Sequence, residues 1–297
     1  MNWQGRWRAA VGMWVAICAA LPACAAMIVR DDGGSELHLA APARRIVSLA
    51  PNATELLFAA GAGARIVGTV EYSDWPAAAK ALPHVGSVAQ IDAEAVAALQ
   101  PDLVIAWQSG TPPAAIAKLR GLGLTVYVEE PKRIDDIAVA LQTYGRMAGT
   151  TAVADAAAVA FRQRYAQLAA AYSTRPKLRV FYQIWEQPLI TVNGKQIISD
   201  VIRLCGGKNV FADLPVLAPT VAIEAVIAAN PDVIVASGSD ATRPAWLDDW
   251  RRWPSLNAVA HGNLFFVPPD LIQRHTPRLL DGAELLCRQL ETARGRL

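Results

Sequence analysis

Several aromatic side chains lie where predicted strands end, and residues of this type suit the binding of a large, partly flat ligand. Tyr72 comes shortly after a predicted strand at residues 66–70, and Trp107 ends the next strand along the chain. Trp185 follows another apolar run, at residues 179–183. In open α/β sheets, ligands bind outside the carboxyl ends of the strands, and aromatic rings there supply apolar area for binding without catalysis. The alternative for each ring is ordinary packing in the core.

A polar segment near the C-terminus supplies charged groups. It lies between the last predicted strand and the terminal helix and contains Asp270, Arg274 and Arg278. Asp270 and Arg274 are candidates to point into a cleft between two lobes and to contact amides or carboxylates of a ligand. For Arg278, capping or bracing the terminal helix is an equal alternative.

Sequence signatures of catalysis are missing. The chain has no G-x-S-x-G nucleophile elbow, no Walker loop and no H-E-x-x-H motif. Its four histidines are scattered, and none has a second ligand type at metal spacing; they are His38, His84, His261 and His275. We therefore expect a binding protein without a metal site. Two other classes stay open: an exported enzyme with Asp270 and His275 as acid–base partners, and a metal-binding module that uses His84, His261 and His275.

Composition and charge exclude several classes of protein. Of the 297 residues, 53% are hydrophobic and 18% are charged, which excludes a disordered chain. The 28 basic and 26 acidic residues nearly balance, whereas a nucleic-acid-binding protein normally shows a basic excess. We therefore expect no nucleic acid among the partners.

The N-terminal segment, residues 1–26, has the order of a secretory signal peptide. Arg6 and Arg8 precede an apolar run at residues 9–21, and small residues follow. The run is shorter than the roughly 20 residues that a membrane-spanning helix needs. We therefore expect cleavage and export to the periplasm. The letters LPAC at the end of the run also resemble a lipobox, in which Cys24 would carry a lipid anchor, although proline is unusual at the second position.

Removal of this segment changes the charge and the cysteine count. Arg6 and Arg8 are its only charged residues, so the mature chain carries 26 basic and 26 acidic residues. Cys205 and Cys287 remain, and two cysteines in an exported protein are expected to pair. Two buried free thiols are the alternative.

Short apolar runs alternate with helical stretches in the mature chain, which predicts parallel sheets covered by helices. Strand candidates are residues 45–49, 66–70, 103–107, 125–129, 179–183, 233–236 and 264–267, and helix candidates are residues 54–60, 93–99, 113–121, 134–148, 150–172, 197–204 and 277–294. Gly61, Gly121 and Gly149 stand where helix C-caps belong. The prediction is an α/β fold with two Rossmann-like lobes joined by one long rigid helix. Its divisions are a signal peptide at 1–26, an N-terminal lobe at 27–149, the connecting helix at 150–174 and a C-terminal lobe at 175–297.

The two halves also repeat a sequence pattern. Residues 94–106, EAVAALQPDLVIA, align with residues 224–236, EAVIAANPDVIVA, and seven of the 13 positions are identical. A helix followed by Pro-Asp and a buried strand is a common α/β connection, so the match also arises from shared fold rules. Either way, Glu94 and Glu224 occupy equivalent places in the two lobes.

These motifs resemble one known family. The segments RIVSLAPNATELLFAAG, VGTVEYSDWP, LQPDLVIAW, RVFYQ and RLCGGKNVF are similar to the periplasmic solute-binding proteins of ABC importers whose lobes are joined by one rigid helix, the class that serves cobalamin, siderophores and haem. EYSDWP together with CGGKNVF points to the cobalamin branch. The resemblance covers nearly the whole mature chain and implies capture of cobalamin in the interlobe cleft and its delivery to a permease.

The resemblance also implies roles for particular residues. Tyr72 and Trp107 would contact the corrin from the N-terminal lobe, and Asp270, Leu271, Ile272, Gln273 and Arg274 from the C-terminal lobe. Glu94 and Glu224 match two surface glutamates that dock onto permease arginines, with a solvated helix start as the alternative. Cys205 and Cys287 match the disulfide of the family. We expect a monomer without a cofactor, since cobalamin is the transported ligand.

The chain departs from the cobalamin branch at two positions. Val88 and Leu217 stand where that branch has tryptophans, while Trp185 adds an aromatic side chain. Two missing ring contacts leave another corrinoid, a ferric siderophore or haem open as the ligand.

Overall fold

Two four-stranded parallel sheets form the framework of the protein. The computed structural model describes residues 27–297; the expected signal peptide at 1–26 and the lipobox Cys24 lie outside the described residues. The N-terminal sheet has the order β4-β3-β5-β6, and the C-terminal sheet has the order β10-β9-β7-β8. The strands are β3 Ile46–Ser48, β4 Ile66–Gly68, β5 Leu103–Trp107, β6 Val126–Glu129, β7 Leu178–Gln183, β8 Gly207–Asn209, β9 Val233–Ala236 and β10 Leu264–Phe266, preceded by an antiparallel hairpin of β1 Met27–Arg30 and β2 Glu36–Leu39.

Ten α-helices accompany these strands in the described part of the chain. They are α1 Pro51–Ala59, α2 Ala93–Ala98, α3 Pro113–Gly121, α4 Ile134–Ala148, α5 Thr151–Tyr172, α6 Ile197–Leu204, α7 Ile223–Ala229, α8 Asn257–Ala260, α9 Pro269–Ile272 and α10 Leu279–Arg294. None of the helices between residues 27 and 297 combines the length and apolar content that a bilayer crossing requires. We refer to β1–β6 with α1–α4 as the N-terminal lobe and to β7–β10 with α6–α10 as the C-terminal lobe.

The strands of both sheets are apolar along their length because both faces are covered. In β5 and β9 every residue from Leu103 to Ala106 and from Val233 to Ala236 is buried. Continuous burial of this kind is the pattern of parallel strands packed between helices. The predicted α/β fold with parallel sheets is therefore confirmed.

Both lobes have the same topology and the same bracing contacts. If the parallel strands of each lobe are numbered from 1 to 4 along the chain, both sheets read 2-1-3-4. The Asp102 carboxylate accepts a hydrogen bond from the Arg45 backbone N–H at 3.0 Å, and Asp232 accepts one from Arg179 at 2.8 Å. Each arginine side chain also donates to a carbonyl at the end of a helix, that of Leu99 or that of Ala229. The Pro-Asp repeat seen in the sequence thus corresponds to a repeated structural unit.

One long helix connects the lobes, as expected. It is α5, with 22 residues, and it follows α4 after a turn at Gly149, which has a left-handed φ of 65° that favours glycine. Few of its side chains are buried; Ala154, Ala158, Phe161 and Leu168 are the ones that pack into the core. A continuous apolar core nevertheless includes residues of both lobes and of α5.

Some local predictions were wrong or incomplete. Gly121 is the last residue of α3 and not its cap, since the left-handed conformation falls at Gly123 with φ 79°. The edge strand β8, which begins at Gly207 and pairs with β7 from Leu178 onward, was not predicted. The hairpin of β1 and β2 was not predicted.

Cys205 and Cys287 form a disulfide, as expected. Cys205 lies directly after α6 and Cys287 in α10, and both are fully buried. The bond therefore links two helices of the C-terminal lobe across 82 residues of sequence.

Candidate functional site

A cleft of about 240 Å³ lies between the two lobes at the carboxyl ends of their strands. Trp107 ends β5, Glu130 directly follows β6, and Ile184 directly follows β7, so three strands direct residues toward it. Its wall consists of Trp107, Ser109, Glu130, Pro131 and Lys132 from the N-terminal lobe and Ile184, Val192, Lys195, Gln196, Ile197, Ile198, Leu217, Ala218, Gln273 and His275 from the C-terminal lobe. This is where ligands bind in open parallel sheets.

Trp107 is held firmly on the N-terminal wall. Its backbone N–H donates to Thr111 Oγ1 at 3.1 Å, and its ring packs against Gly110 so closely that an added Cβ there would lie 2.0 Å from a ring atom. The indole Nε1 is buried and has no hydrogen-bond partner within the described residues. The indole ring is therefore fixed in position on the wall, while its N–H group lacks a hydrogen-bond partner within the described residues.

His275 faces Trp107 from the C-terminal lobe. The two rings are perpendicular, with centroids 6.0 Å apart. His275 is only 3% exposed, and neither ring nitrogen finds a partner among residues 27–297. Burial lowers the pKa of His275 to about 4, so the ring is neutral at pH 7.

Arg274 connects the lobes beside the cleft. Its Nη1 donates to Asp74 Oδ1 at 2.7 Å, and its Nη2 lies 3.0 Å from Asp270 Oδ1. Asp74 belongs to the loop after β4 that also carries Tyr72. The loop that carries Tyr72 and the segment at residues 270–274, which were both expected to supply ligand contacts, therefore meet through this pair.

A second and more deeply buried ion pair joins the lobes at Arg278. Its Nε and Nη2 donate to the two carboxylate oxygens of Glu55 at 2.8 and 2.7 Å, a bidentate arrangement. Glu55 lies in α1, and its side chain is 4% exposed. The Arg278 guanidinium also lies 4.5 Å from the ring centroid of Trp75, within the range of a cation–π interaction. Arg278 thus pairs with the opposite lobe, which the sequence did not predict.

Most of the other expected ligand contacts lie outside this wall. Tyr72 is 76% exposed and has a left-handed φ of 64°, which is rare for a bulky residue and is found at functional positions. Trp185 is 41% exposed and follows Ile184 of the wall. Of the C-terminal segment, Gln273 reaches the cavity, while Ile272 has no exposed surface and packs in the core. Leu271 is half-buried.

The two positions at which the chain departs from the cobalamin branch lie in different surroundings. Leu217 lies on the wall of the cleft, whereas Val88 packs against the core on one face of the N-terminal sheet. Because leucine is smaller than the tryptophan of the cobalamin branch, Leu217 leaves room within the cavity.

Sequence reasoning missed several residues of this region. Three residues of the wall lie in segments without a recognisable motif, so no sequence pattern indicated a role in the cleft: Lys132, Lys195 and Gln196. Glu55 had a weak signal, because a carboxylate inside an apolar helix such as α1 requires a partner when it is buried.

Glu129 is a buried acid at the end of β6, behind the cleft. Its two carboxylate oxygens accept hydrogen bonds from Asn52 Nδ2 at 2.6 Å and from the Tyr144 hydroxyl at 2.5 Å. Burial raises the pKa of Glu129 to about 8, although these two donors offset part of the effect.

Glu94 and Glu224 have equivalent and exposed positions. Each lies in the first turn of the helix that precedes the third strand of its sheet, α2 or α7. The Glu94 side chain is 90% exposed, with Lys118 Nζ 4.0 Å away. In the described residues, no group of three or more His, Cys, Asp or Glu side chains is arranged to hold a metal ion.

Comparison with known proteins agrees with this architecture. A family model described as periplasmic binding protein matches residues 46–271. The vitamin B12-binding protein of Vibrio cholerae serotype O1 is 40% identical over 253 residues, which are 85% of this chain and 91% of that protein. The crystal structure of the periplasmic vitamin B12 binding protein BtuF of Vibrio cholerae is similar to this structure with a TM-score of 0.79, at 40% sequence identity. The matched region covers 85% of this chain and 98% of that chain. A periplasmic heme binding protein from Pseudomonas aeruginosa is 26% identical with a TM-score of 0.72, over 82% and 91% of the two chains.

The expected resemblance and the class III architecture, with two α/β lobes joined by one long helix, are thereby confirmed. The chain belongs to the periplasmic binding protein family.

Proposed function

We propose that this protein binds cobalamin between its lobes in the periplasm and delivers it to the permease of an ABC importer. The observation that carries the proposal is the position of the Trp107 ring on an interlobe cleft, in a chain 40% identical to a protein named for vitamin B12 binding. The relatives are named as binding proteins, which supports transport and not catalysis. Cobalamin is then the cargo, and the protein needs no cofactor.

The charges of the cleft support an uncharged ligand decorated with amides. Arg274 pairs with Asp74 and Asp270, and Arg278 pairs with Glu55, so neither guanidinium is free for an anion. Glu130 accepts hydrogen bonds from Ser109, while Lys132 and Lys195 are the two lysines on the wall. Glu130 opposes part of the positive charge that these lysines would offer to a siderophore or haem with carboxylates.

The proposed contacts come from both lobes. Tyr72 and Trp107 contribute from the N-terminal lobe, and Trp185, Asp270, Leu271, Gln273 and Arg274 contribute from the C-terminal lobe. We leave Ile272 out because its side chain is fully buried in the core. The cleft of about 240 Å³ is below the roughly 300–1,000 Å³ of small-molecule sites. Cobalamin therefore requires the cleft to widen, and Arg274 keeps Asp270 of its own lobe as a partner when its contact with Asp74 is lost.

Isothermal titration of the mature protein with cyanocobalamin tests the proposal. We expect 1:1 binding at submicromolar to micromolar ligand concentration. Haemin and a ferric hydroxamate siderophore, titrated under the same conditions, should bind at least tenfold more weakly. Absence of cyanocobalamin binding at micromolar concentration contradicts the proposal.

Haem or a ferric siderophore on the same scaffold is the second candidate. It is favoured by Leu217, which lies on the cleft wall where the cobalamin branch has a tryptophan, and by the similarity to the heme binding protein of Pseudomonas aeruginosa. Stronger binding of haemin than of cyanocobalamin in the titration above would decide for it.

Glu94 and Glu224 are the proposed docking groups for the permease. Both are exposed and equivalent, one on each lobe, so a two-fold pair of permease subunits would meet one glutamate each. We expect Glu94→Ala with Glu224→Ala to leave cyanocobalamin affinity unchanged and to weaken association with the permease at least tenfold. The matched control is Glu36→Ala with Asp213→Ala, which removes one exposed acid from each lobe elsewhere. Loss of ligand affinity in the first variant would mean that these glutamates belong to the binding site.

Export and oligomeric state complete the proposal. The relatives of known structure are periplasmic, which supports the same compartment for this chain. We further propose that residues 1–26 are removed during export, with lipidation at Cys24 as the alternative outcome, and that the mature protein is a monomer.

A further inference from the structure

Two neutral rings with unsatisfied polar atoms meet on the wall of the cleft, one from each lobe. The buried Trp107 Nε1 and both ring nitrogens of His275 lack a hydrogen-bond partner within residues 27–297. Buried polar groups without a partner are rare and destabilising, so each such group in a folded protein requires an explanation. Here the three atoms belong to one aromatic contact, with ring centroids 6.0 Å apart.

The position of the contact suggests what satisfies these atoms. Both side chains line the cleft, and they come from opposite lobes. Because the cleft is too small for a ligand of the size of cobalamin, entry of the ligand separates the two rings and exposes their polar atoms. We propose that Trp107 and His275 form a neutral recognition pair for a side-chain amide of the ligand, which selects corrinoids with amides against those with carboxylates. This inference rests on the function proposed above and adds His275 to the ligand contacts.

The donors and acceptors of the pair match an amide. An indole offers one N–H donor, and a neutral imidazole offers one N–H donor and one acceptor. Because burial lowers the pKa of His275 to about 4, the imidazole keeps that acceptor at pH 7. A primary amide has a carbonyl that accepts and an NH₂ group that donates, so it is able to serve both kinds of atom. An ionised carboxylate has no donor for the imidazole acceptor.

Charge adds to this selectivity. Burial of a carboxylate against two neutral rings is unfavourable unless a cation is close. Arg274, the nearest residue to His275 in sequence that carries a positive charge, already pairs with Asp74 and Asp270. Lys132 and Lys195 lie on the same wall, as does Glu130. The pair therefore favours an uncharged group at this point of the cleft.

Calorimetric titration with two probes tests the inference. Cyanocobalamin carries side-chain amides, and dicyanocobyrinic acid carries carboxylates in their place and also lacks the nucleotide loop, so the readout is the change that a substitution causes in the ratio of the two affinities. We expect wild type to prefer cyanocobalamin, and we expect His275→Leu to weaken cyanocobalamin binding about tenfold. The same variant should leave the binding of cobyrinic acid unchanged, so that the ratio of the two affinities falls about tenfold. His275→Asn, which keeps one neutral donor and one acceptor, should restore most of the ratio.

Controls separate a recognition role from a structural one. His261→Leu removes an exposed histidine of the same lobe, whose ring bonds the Arg296 carbonyl, and should change neither affinity. If His275→Leu does not fold, Trp107→Phe removes the indole N–H together with part of the ring and should lower the same ratio. An equal loss of affinity for both probes, or no loss, overturns the inference while the proposed function stands. Failure of wild type to bind cyanocobalamin overturns the proposed function and the inference together.

Discussion

The N-terminal and C-terminal lobes share a strand order and yet differ in the chemistry at their strand ends. Both sheets read 2-1-3-4, and both are braced by an aspartate and an arginine at the start of the first strand. Where the lobes meet, however, the N-terminal lobe supplies the acids Glu55 and Asp74, and the C-terminal lobe supplies the arginines that pair with them. The repeated fold places the loops, whereas the loop residues determine their charge.

The buried titratable groups differ in the same way. The N-terminal lobe buries an acid, Glu129, whose pKa is raised to about 8, and the C-terminal lobe buries a base, His275, whose pKa is lowered to about 4. Each shift keeps the buried group neutral near pH 7, because burial penalises whichever form carries charge. Two lobes of one topology thus become sensitive to opposite ends of the pH scale.

Removal of the buried arginine is expected to have the largest effect. Arg278→Met leaves Glu55 buried in α1 without its bidentate partner, which is expected to lower the free energy of unfolding by about 4 kcal/mol. Urea denaturation followed by circular dichroism measures the loss. The double variant Glu55→Gln with Arg278→Met removes both charges and should recover much of the stability.

An arginine of α10, the helix that Arg278 directly precedes, provides the control. Arg288 pairs with Glu284 within α10, but its side chain is 59% exposed, so Arg288→Met should change stability by less than about 0.5 kcal/mol. Equal effects of the two substitutions would contradict the view that the interface between the lobes depends on complementary buried charge.

The disulfide gives the next largest difference between the lobes. Among residues 27–297, cysteines occur only in the C-terminal lobe, and their bond restrains an 82-residue stretch of the unfolded chain. Cys205→Ala with Cys287→Ala is expected to lower the free energy of unfolding by about 3 kcal/mol. In this double variant, hydrogen exchange should show that the C-terminal strands β7 and β9 open faster than the N-terminal strands β3 and β5. A reductant should reproduce the loss in wild type and leave the variant unaffected; equal opening of both sheets would contradict the prediction.

The sequence predicted elements best where burial is continuous. The bounds of β5, α4, α6 and β9 agree with the structure to the residue, because their apolar runs and following turn residues are unambiguous. The edge strands β1, β2 and β8 have only three or four residues each and mix polar with apolar side chains. Such strands are formed by pairing with a neighbour, which a local pattern does not reveal.

The site was predictable in its location but not in its contacts. Trp107 and Gln273 were expected near a ligand, and the structure places both on the wall of the cleft. Glu55 and Arg278 are 223 residues apart in the chain, and no local pattern links them. His275 entered only as an alternative acid–base or metal residue, because its neutrality depends on burial, a property of the folded lobes and not of neighbouring residues.

The pH dependence of stability gives the smallest effect and the sharpest test of the comparison. Glu129 binds a proton more tightly in the folded state, with a pKa of about 8 against an ordinary value of 4.5. Its contribution to stability is therefore complete below pH 4.5 and is lost as the pH rises through 8. We expect wild type to lose about 2 kcal/mol between pH 6 and 8 relative to Glu129→Gln, as measured by urea denaturation at a series of pH values.

His275 in the other lobe should act with the opposite sign. Its pKa falls from 6.5 to about 4 on folding, so its contribution to stability is complete above pH 6.5 and is lost as the pH falls through 4. His275→Leu should therefore flatten only the acid side of the stability profile, and Glu129→Gln only the alkaline side. If the free energy of unfolding of both variants runs parallel to that of wild type at every pH, Glu129 and His275 titrate alike in the folded and unfolded states. That result would contradict their burial. If Glu129→Gln instead flattened the acid side of the profile, or His275→Leu the alkaline side, the group that titrates on that side would be assigned to the other lobe.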